Sequence, residues 1–177
     1  MNTRTLFWGL ALGSLVLDQV TKAMARMEFN EHQSIALIPN VLDLTLTFNR
    51  GIAFGMFQGM GVLLAPVAIL IAAGAALYSH RHPNEHRWTH AAMALLAAGA
   101  LGNLIDRLML GKVTDMIWVR FIEFPVFNVA DVCITIAGAI LVVVWGLEGI
   151  RPKPAPVVEP PAEPGETQTP SQQCSEV

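Results

Sequence analysis

Apolar residues are concentrated in four long stretches of the chain, at residues 5–24, 61–79, 89–108 and 130–150. Each stretch is close to the ~20 residues that an α-helix needs to cross the hydrocarbon core of a bilayer. A helix pairs its backbone polar groups internally, which a lipid environment requires. The pattern therefore predicts an all-α membrane protein with four transmembrane helices.

Two segments between the predicted helices have the pattern of strands. Residues 41–48 place apolar side chains at every second position, which is typical of a half-buried strand. Residues 116–124 are β-branched and aromatic and form a second candidate strand. Both segments lie in connections on the same side of the helices, so we expect a small β-sheet cradle on the outer face of the membrane. Such a sheet could hold an extended peptide by strand addition.

The composition agrees with a chain that lies largely in lipid. Charged residues make up 14% of the 177 residues, whereas an ordinary soluble domain has about 25%. The formal net charge is -3, and residues 1–150 are close to neutral, so nothing indicates nucleic-acid binding. Cys133 and Cys174 have no metal-site spacing, and we expect no metal or other cofactor. Four histidines, at positions 80, 82, 86 and 90, are expected in a solvated loop at the membrane edge.

The two ends of the chain raise separate questions. The first apolar stretch could be a cleavable leader, but Asp18 and Lys22 are spaced to pair on one helix face, which favours a retained helix. Residues 151–177 hold seven of the eleven prolines, and this composition predicts a disordered tail. We therefore expect a four-span membrane domain at 1–150 and a tail at 151–177. The count of lysines and arginines, five inside against six outside, does not decide the topology. Their density favours both termini inside, because the loop at 80–88 is short and the outer connections are long.

Ionisable and amide side chains at membrane depth are costly and need a reason. Several here fall near the outer ends of their predicted helices, where they could converge on one polar pocket. A pair of aspartates sharing one proton could activate water in such a pocket, the ionised carboxylate acting as the base. The residues are Asp18, Lys22, Asn103, Asp106, Arg107, Asn128 and Asp131.

Each of these residues also has a structural interpretation. Asp18 and Lys22 could be an ion pair that fixes helix packing. Asn128 and Asp131 have the spacing of a helix N-cap with an acid at the third position. The residue pattern alone does not choose Asp115 over Asp106 as a working acid. A small proton-coupled transporter stays an alternative, although its carboxylates would usually lie near the bilayer midplane. A non-enzymatic scaffold would leave the unpaired acids unexplained.

Five short segments, in order along the chain, narrow these alternatives. They read LDQVTK at 17–22, NRGIAFG at 49–55, GNLIDR at 102–107, VTD at 113–115 and FNVAD at 127–131. Together they closely resemble the motifs of the lipoprotein signal peptidase (signal peptidase II) family, over about residues 5–150. One motif would be weak evidence, whereas five in order on a four-span pattern are specific.

The resemblance implies an intramembrane aspartic endopeptidase that removes the signal peptide from diacylglyceryl-modified prolipoproteins, cleaving before the lipidated cysteine. It implies a multi-pass protein of the bacterial inner membrane, with both termini cytoplasmic and the active site towards the periplasm. The implied partners are these prolipoproteins and membrane lipids, and we expect a monomer. Two features depart from the family pattern. The connection between residues 115 and 131 is short, and the tail at 151–177 matches no family motif.

The resemblance also assigns roles to individual residues. It implies that Asp115 and Asp131 are the catalytic pair, and we expect Asp131 to be the more easily ionised because a helix N-terminus favours an anion. The residues implied to bind substrate or support the site are Asp18, Lys22, Asn49, Gly51, Ala53, Asn103, Asp106, Arg107, Asn128 and Ala130.

Overall fold

The computed structural model describes residues 2–51, 64–122 and 124–150, without the side chains of residues 147–150. Ala53 and the tail predicted at residues 151–177 lie outside the described residues. Four helices and three strands follow in the described parts. They are α1 (Thr3–Glu28), β1 (Ser34–Ile38), β2 (Leu42–Asn49), α2 (Ala65–Arg81), α3 (Arg87–Leu110), β3 (Val113–Val119) and α4 (Val129–Ile150).

The four helices coincide with the four apolar stretches of the sequence. Within the described ranges, α3 and the Val129–Gly146 part of α4 are long and apolar enough to cross a bilayer. Helix α1 has 26 residues but includes the charged Asp18 and Lys22, and the 17 residues of α2 begin directly after an undescribed segment. The chain is thus mostly helical, and the periodicity located its helices to within a few residues.

The strands form one antiparallel sheet in the order β1-β2-β3. The strand predicted at 41–48 is confirmed as β2. The strand predicted at 116–124 is displaced, because β3 begins three residues earlier and ends at Val119. Its register explains the difference: Asn49 pairs with Val113 and Leu42 with Val119, so β2 has the length to pair with this range. Strand β1, which the sequence did not predict, pairs with the other edge of β2.

Helix α3 lies at the centre and packs against α1, α2 and α4. Its buried face consists largely of small residues, which let neighbouring helices approach closely in a membrane protein. A Cβ added at Gly99 would collide with the carbonyl oxygen of Ala130 on α4, and one added at Gly102 would collide with the Asp18 carboxylate on α1. These contacts bring the C-terminal half of α3 against both α1 and the first turn of α4.

The expectation of a histidine-lined solvated loop is wrong for one member. His90 lies inside α3 and is only 1% exposed, and its Nδ1 is 2.8 Å from the Ser79 hydroxyl oxygen of α2. His80 lies in the last turn of α2, while His82 and His86 cap the ends of α2 and α3. The loop between α2 and α3 is therefore shorter than the positions of the four histidines had indicated.

Candidate active site

Helix α4 begins with a reciprocal cap that holds Asp131 in place. The Asn128 side-chain oxygen accepts a hydrogen bond from the Asp131 backbone N–H at 3.0 Å. In return, Asp131 Oδ2 accepts from the Asn128 backbone N–H at 3.2 Å. This is the capping-box arrangement, so the N-cap predicted from the sequence is confirmed. The second carboxylate oxygen, Oδ1, accepts from the Asn103 side-chain amide at 2.9 Å.

Asp115 is buried in β3 and is held by the same cap residue. Asn128 Nδ2 donates to Asp115 Oδ1 at 2.6 Å, and it also lies 3.1 Å from the side-chain oxygen of Asn103. Asn103 and Asn128 therefore connect the two acids through their amide groups. Asn128 is fully buried, which makes this connection rigid and shielded from water.

The environment of Asp115 favours its protonated form. Burial raises the pKa of the Asp115 carboxyl to about 7, and the nearby negative charge of Asp131 acts in the same direction. The hydrogen bond from Asn128 and the positive charges of Lys22 and Arg107 oppose this pKa shift without cancelling it. Asp115 is therefore suited to hold a proton at neutral pH.

The ion pair predicted between Asp18 and Lys22 is confirmed and reaches beyond α1. Lys22 Nζ lies 2.9 Å from Asp18 Oδ2, and both side chains are almost completely buried. Lys22 also donates to the Asn103 side-chain oxygen at 2.9 Å. Asp18 Oδ1 accepts from the Ala130 backbone N–H at 2.9 Å. The pair thus joins α1 to α3 and to the first turn of α4.

Asp106 has an environment that differs from that of Asp115. Its Oδ2 accepts from the Thr114 backbone N–H at 2.8 Å. Lys22 Nζ lies 3.9 Å from the same oxygen, and Arg26 Nη1 lies 3.4 Å from Oδ1. Asp106 is thus enclosed by donors and cations, an arrangement that suits a structural role in holding α1 and β3 against α3. The structure provides the distinction between Asp106 and Asp115 that the residue pattern could not make.

Arg107 connects the helical site to the end of β2. Its guanidinium approaches the Asn103 carbonyl oxygen at 3.4 Å and the Gly51 carbonyl oxygen at 3.5 Å. The Gly51 N–H donates to the Asn49 side-chain oxygen at 2.9 Å. Asn49 and Gly51 therefore form a turn beside Arg107.

A cavity of about 460 Å³ opens where these elements meet. Both Asp115 and Asp131 line it, as do Asn49, Asn103 and Arg107. The other predicted site residues that the structure describes do not line the cavity but contact the lining residues or their neighbours in the chain. Ala53 is not described. Much of the remaining lining is apolar and comes from the segment before α4 and from α4 itself. It consists of Phe124, Pro125, Val126, Phe127, Val132, Ile134 and Ile136.

Arg26 and Gln19 are among the residues that contact the site but were not predicted from the sequence. Arg26 reaches both Asp106 and the Thr114 hydroxyl, and Gln19 donates to Asp18 Oδ2 at 3.0 Å. The spacing of Asp18, Lys22 and Arg26 at four-residue intervals could have indicated Arg26, because such residues share one helix face.

Comparisons with known proteins agree with this geometry. The family model described as Signal peptidase (SPase) II matches residues 10–147. The lipoprotein signal peptidase of Gloeobacter violaceus is 38% identical over 137 residues, which cover 77% of this chain and 79% of that protein. That of Deinococcus radiodurans is 40% identical over 150 residues, with 78% and 77% covered. That of Pseudomonas aeruginosa is 38% identical over 133 residues, with 71% and 79% covered.

Two solved structures, each described as a bacterial membrane enzyme, share the fold. One superposes with a TM-score of 0.77 at 28% identity, covering 81% of this chain and 89% of the other. The second has a TM-score of 0.72 at 30% identity, with 78% and 91% covered. The alternative of a proton-coupled transporter finds no support in these matches. The chain belongs to the signal peptidase II family of lipoprotein signal peptidases.

Proposed function

We propose that this chain is an aspartic endopeptidase in which Asp115 and Asp131 cleave diacylglyceryl-modified prolipoproteins immediately before the lipidated cysteine. One observation carries the proposal: two carboxylates line the same cavity, and two shared amides connect them. Family membership supports a peptidase acting on prolipoproteins, and the geometry supports the aspartic mechanism.

The two acids have different surroundings, which suits different roles. Asp115 is buried, and burial raises its pKa to about 7, so a substantial fraction of its carboxyls carries the proton at neutral pH. Asp131 accepts hydrogen bonds through both oxygens and lies in the first turn of α4, where the helix dipole favours an anion. We assign Asp131 as the base and Asp115 as the acid.

The reaction then proceeds by addition of water to the peptide carbonyl. Asp131 removes a proton from a water molecule as its oxygen attacks the carbonyl carbon, while the Asp115 proton moves to the carbonyl oxygen. The C–N bond breaks when the amine leaves with the proton that Asp131 took up. The remaining hydroxyl proton returns to Asp115, so both carboxyls end in their starting states.

The remaining features of the site fit an extended, lipid-linked peptide. The apolar part of the cavity lining suits the small residues that we expect before the lipidated cysteine. Arg107 fastens the turn at Asn49 and Gly51 against α3, and this turn would border the peptide backbone. The Ala130 N–H donates a hydrogen bond to Asp18, which fixes the position of the first turn of α4.

We further propose four transmembrane spans, one for each helix, in the bacterial inner membrane with both termini cytoplasmic. The sheet would lie on the periplasmic side at the lipid surface. The apolar side chains of Ile35, Leu37 and Ile38 in β1 are half exposed, which suits contact with lipid rather than water. We propose a monomer that contacts membrane lipids, with residues 151–177 on the cytoplasmic side.

The test is cleavage of a diacylglyceryl-modified prolipoprotein peptide by purified enzyme in detergent. Asp115→Asn should reduce kcat by at least about a thousandfold, because an amide can neither transfer a proton to the carbonyl oxygen nor take one back afterwards. Asp43→Asn is a matched control: it is the same change on the neighbouring strand, at a residue whose partner is Arg120 at 3.6 Å. Substantial cleavage by the Asp115→Asn enzyme would refute the aspartic assignment.

A further inference from the structure

Arg26 lies on α1, one turn beyond Lys22, and reaches across to the beginning of β3. Its Nη1 donates to the Thr114 hydroxyl at 2.8 Å and lies 3.4 Å from Asp106 Oδ1. One guanidinium nitrogen carries two hydrogens, so it can serve both acceptors at once. The Arg26 side chain is only 28% exposed, and most of its length is therefore held by the protein.

Thr114, the residue immediately before Asp115, is completely buried. Each of its polar groups has a separate partner from another part of the fold. Its N–H donates to Asp106 at 2.8 Å, its hydroxyl accepts from Arg26, and its carbonyl oxygen accepts from the Asn128 amide at 3.3 Å. Hydrogen bonds to three other parts of the fold therefore hold the residue that directly precedes Asp115.

Successive side chains of a strand point to opposite faces. Thr114 and Asp115 are neighbours in β3, so Arg26 contacts the face opposite to the one from which Asp115 enters the cavity. Neither Arg26 nor Thr114 lines that cavity. Their most direct route to the reacting groups is the backbone of β3, in which Thr114 immediately precedes Asp115.

We infer that Arg26 and Thr114 form a positioning pair that sets the orientation of the Asp115 carboxyl relative to Asn128 and Asp131. This inference rests on the proposed catalytic role of Asp115. The pair acts on the turnover step and leaves substrate affinity unchanged, because neither residue reaches the cavity. It acts as one unit, since the Thr114 hydroxyl works only through its bond to Arg26.

The experiment measures kcat and KM with the diacylglyceryl-modified peptide for Arg26→Met, Thr114→Val, Thr114→Ser and the Arg26→Met/Thr114→Val double variant. Two matched controls are Arg120→Met and Thr45→Val. Arg120 is a half-exposed arginine paired with Asp43, and Thr45 is a buried strand threonine whose hydroxyl donates to Gln33. The thermal midpoint of each purified variant is recorded in the same detergent.

We expect Arg26→Met and Thr114→Val each to lower kcat about tenfold, with KM within about twofold of wild type. This pattern indicates an interaction that acts only in the transition state. Thr114→Ser should restore kcat because it keeps the hydroxyl. The double variant should be no slower than the slower single variant, since coupled residues are not additive. The two controls should turn over like wild type.

Unchanged kcat in Thr114→Val, a tenfold loss shared by the controls, or multiplied losses in the double variant would each overturn the inference. If Arg26→Met fails to fold, the comparison of Thr114→Val with Thr114→Ser decides alone. Asp115→Asn in the same assay separates the two levels of argument. Loss of cleavage in Asp115→Asn beside normal turnover in Thr114→Val would leave the aspartic mechanism standing and remove only the positioning pair.

Discussion

Two groups of polar side chains are buried among the helices, at opposite ends of α3. The site network consists of Asp18, Lys22, Asn103, Asn128, Asp115 and Asp131, which are connected by hydrogen bonds and an ion pair. Three of them, Asn103, Asp115 and Asp131, line a cavity. The other group is the Ser79–His90 pair, linked by a single 2.8 Å contact. His90 and Asp106 are sixteen positions apart on α3, a distance of about 24 Å along a helix.

The two groups are both polar and buried, but they differ in hydrogen-bond partners and in access to a cavity. Among the described residues, His90 Nε2 and the neighbouring Thr89 Oγ1 are buried without a hydrogen-bond partner, and the pair includes no acid. In the site network the carboxylates share donors, and two of them reach the cavity. A reactive site needs this second property, since a proton must be exchanged with a substrate that has access.

The largest effect on this contrast should come from Asp131→Asn. The side chain keeps its shape and its contact with the cap, but the base is lost, and kcat should fall at least about a thousandfold. His90→Gln, a polar replacement in the other group, should retain cleavage. Initial rates on the lipidated peptide test both, and an inactive His90→Gln enzyme of normal thermal stability would break the comparison.

Lys22→Met should have the next largest effect, on both folding and activity. It leaves Asp18 as a buried charge without its cation, which typically costs about 3–5 kcal/mol. The double variant Asp18→Asn/Lys22→Met should recover part of this loss of stability, because no buried charge then remains unpaired. Thermal unfolding in detergent provides the measurement, and equal midpoints for the single and double variants would contradict the assigned ion pair.

Gly102→Ala should reduce kcat about tenfold, because the added methyl group would displace the Asp18 carboxylate that holds the Ala130 N–H. Gly74→Ala and Gly138→Ala are matched controls, since a Cβ at either position meets nothing within 4 Å. Both controls should turn over at the wild-type rate. A Gly102→Ala enzyme as fast as they are would show that the Asp18 contact tolerates displacement.

The pH dependence should be smaller but has a defined sign. The Asp115 carboxyl must be protonated to act as the acid, and its pKa is raised to about 7 by burial and by Asp131, against Lys22 and Arg107. The protonated fraction therefore falls as pH rises through about 7, and kcat should fall with it. The raised pKa also affects stability. At pH 8 the Asp115 carboxyl is mostly ionised, a form that its buried position disfavours, so Asp115→Asn should stabilise the fold by at least about 1 kcal/mol.

The smallest effect should come from Ser79→Ala. It removes one buried hydrogen bond, so stability should fall by about 1 kcal/mol, while kcat and KM should stay at wild-type values. Activity and the thermal midpoint measured on the same sample test this. A selective loss of kcat would mean that the two ends of α3 are coupled.

The sequence predicted the local polar pairs of the site network more completely than it predicted the sheet. The Asp18–Lys22 pair and the Asn128–Asp131 cap were predicted because four-residue and three-residue helical spacings are local and depend on no distant partner. Strand β1 was missed, and β3 was placed three residues late, because the register of a strand is decided by the partner with which it pairs. Arg26 was missed because its acceptors lie 80 and 88 positions away.

The sequence by itself determined the helices, the local pairs on them and, through five short motifs, the family. The motif resemblance implied Asp115 rather than Asp106 as a catalytic residue, but only the tertiary structure shows how the surroundings of these two aspartates differ. Asp106 is enclosed by Arg26, Lys22 and the Thr114 N–H, whereas Asp115 lies beside Asp131 at a cavity. The reason is that the ionisation of a carboxyl depends on the charges and solvent around it in space, and the folded chain brings these from distant positions.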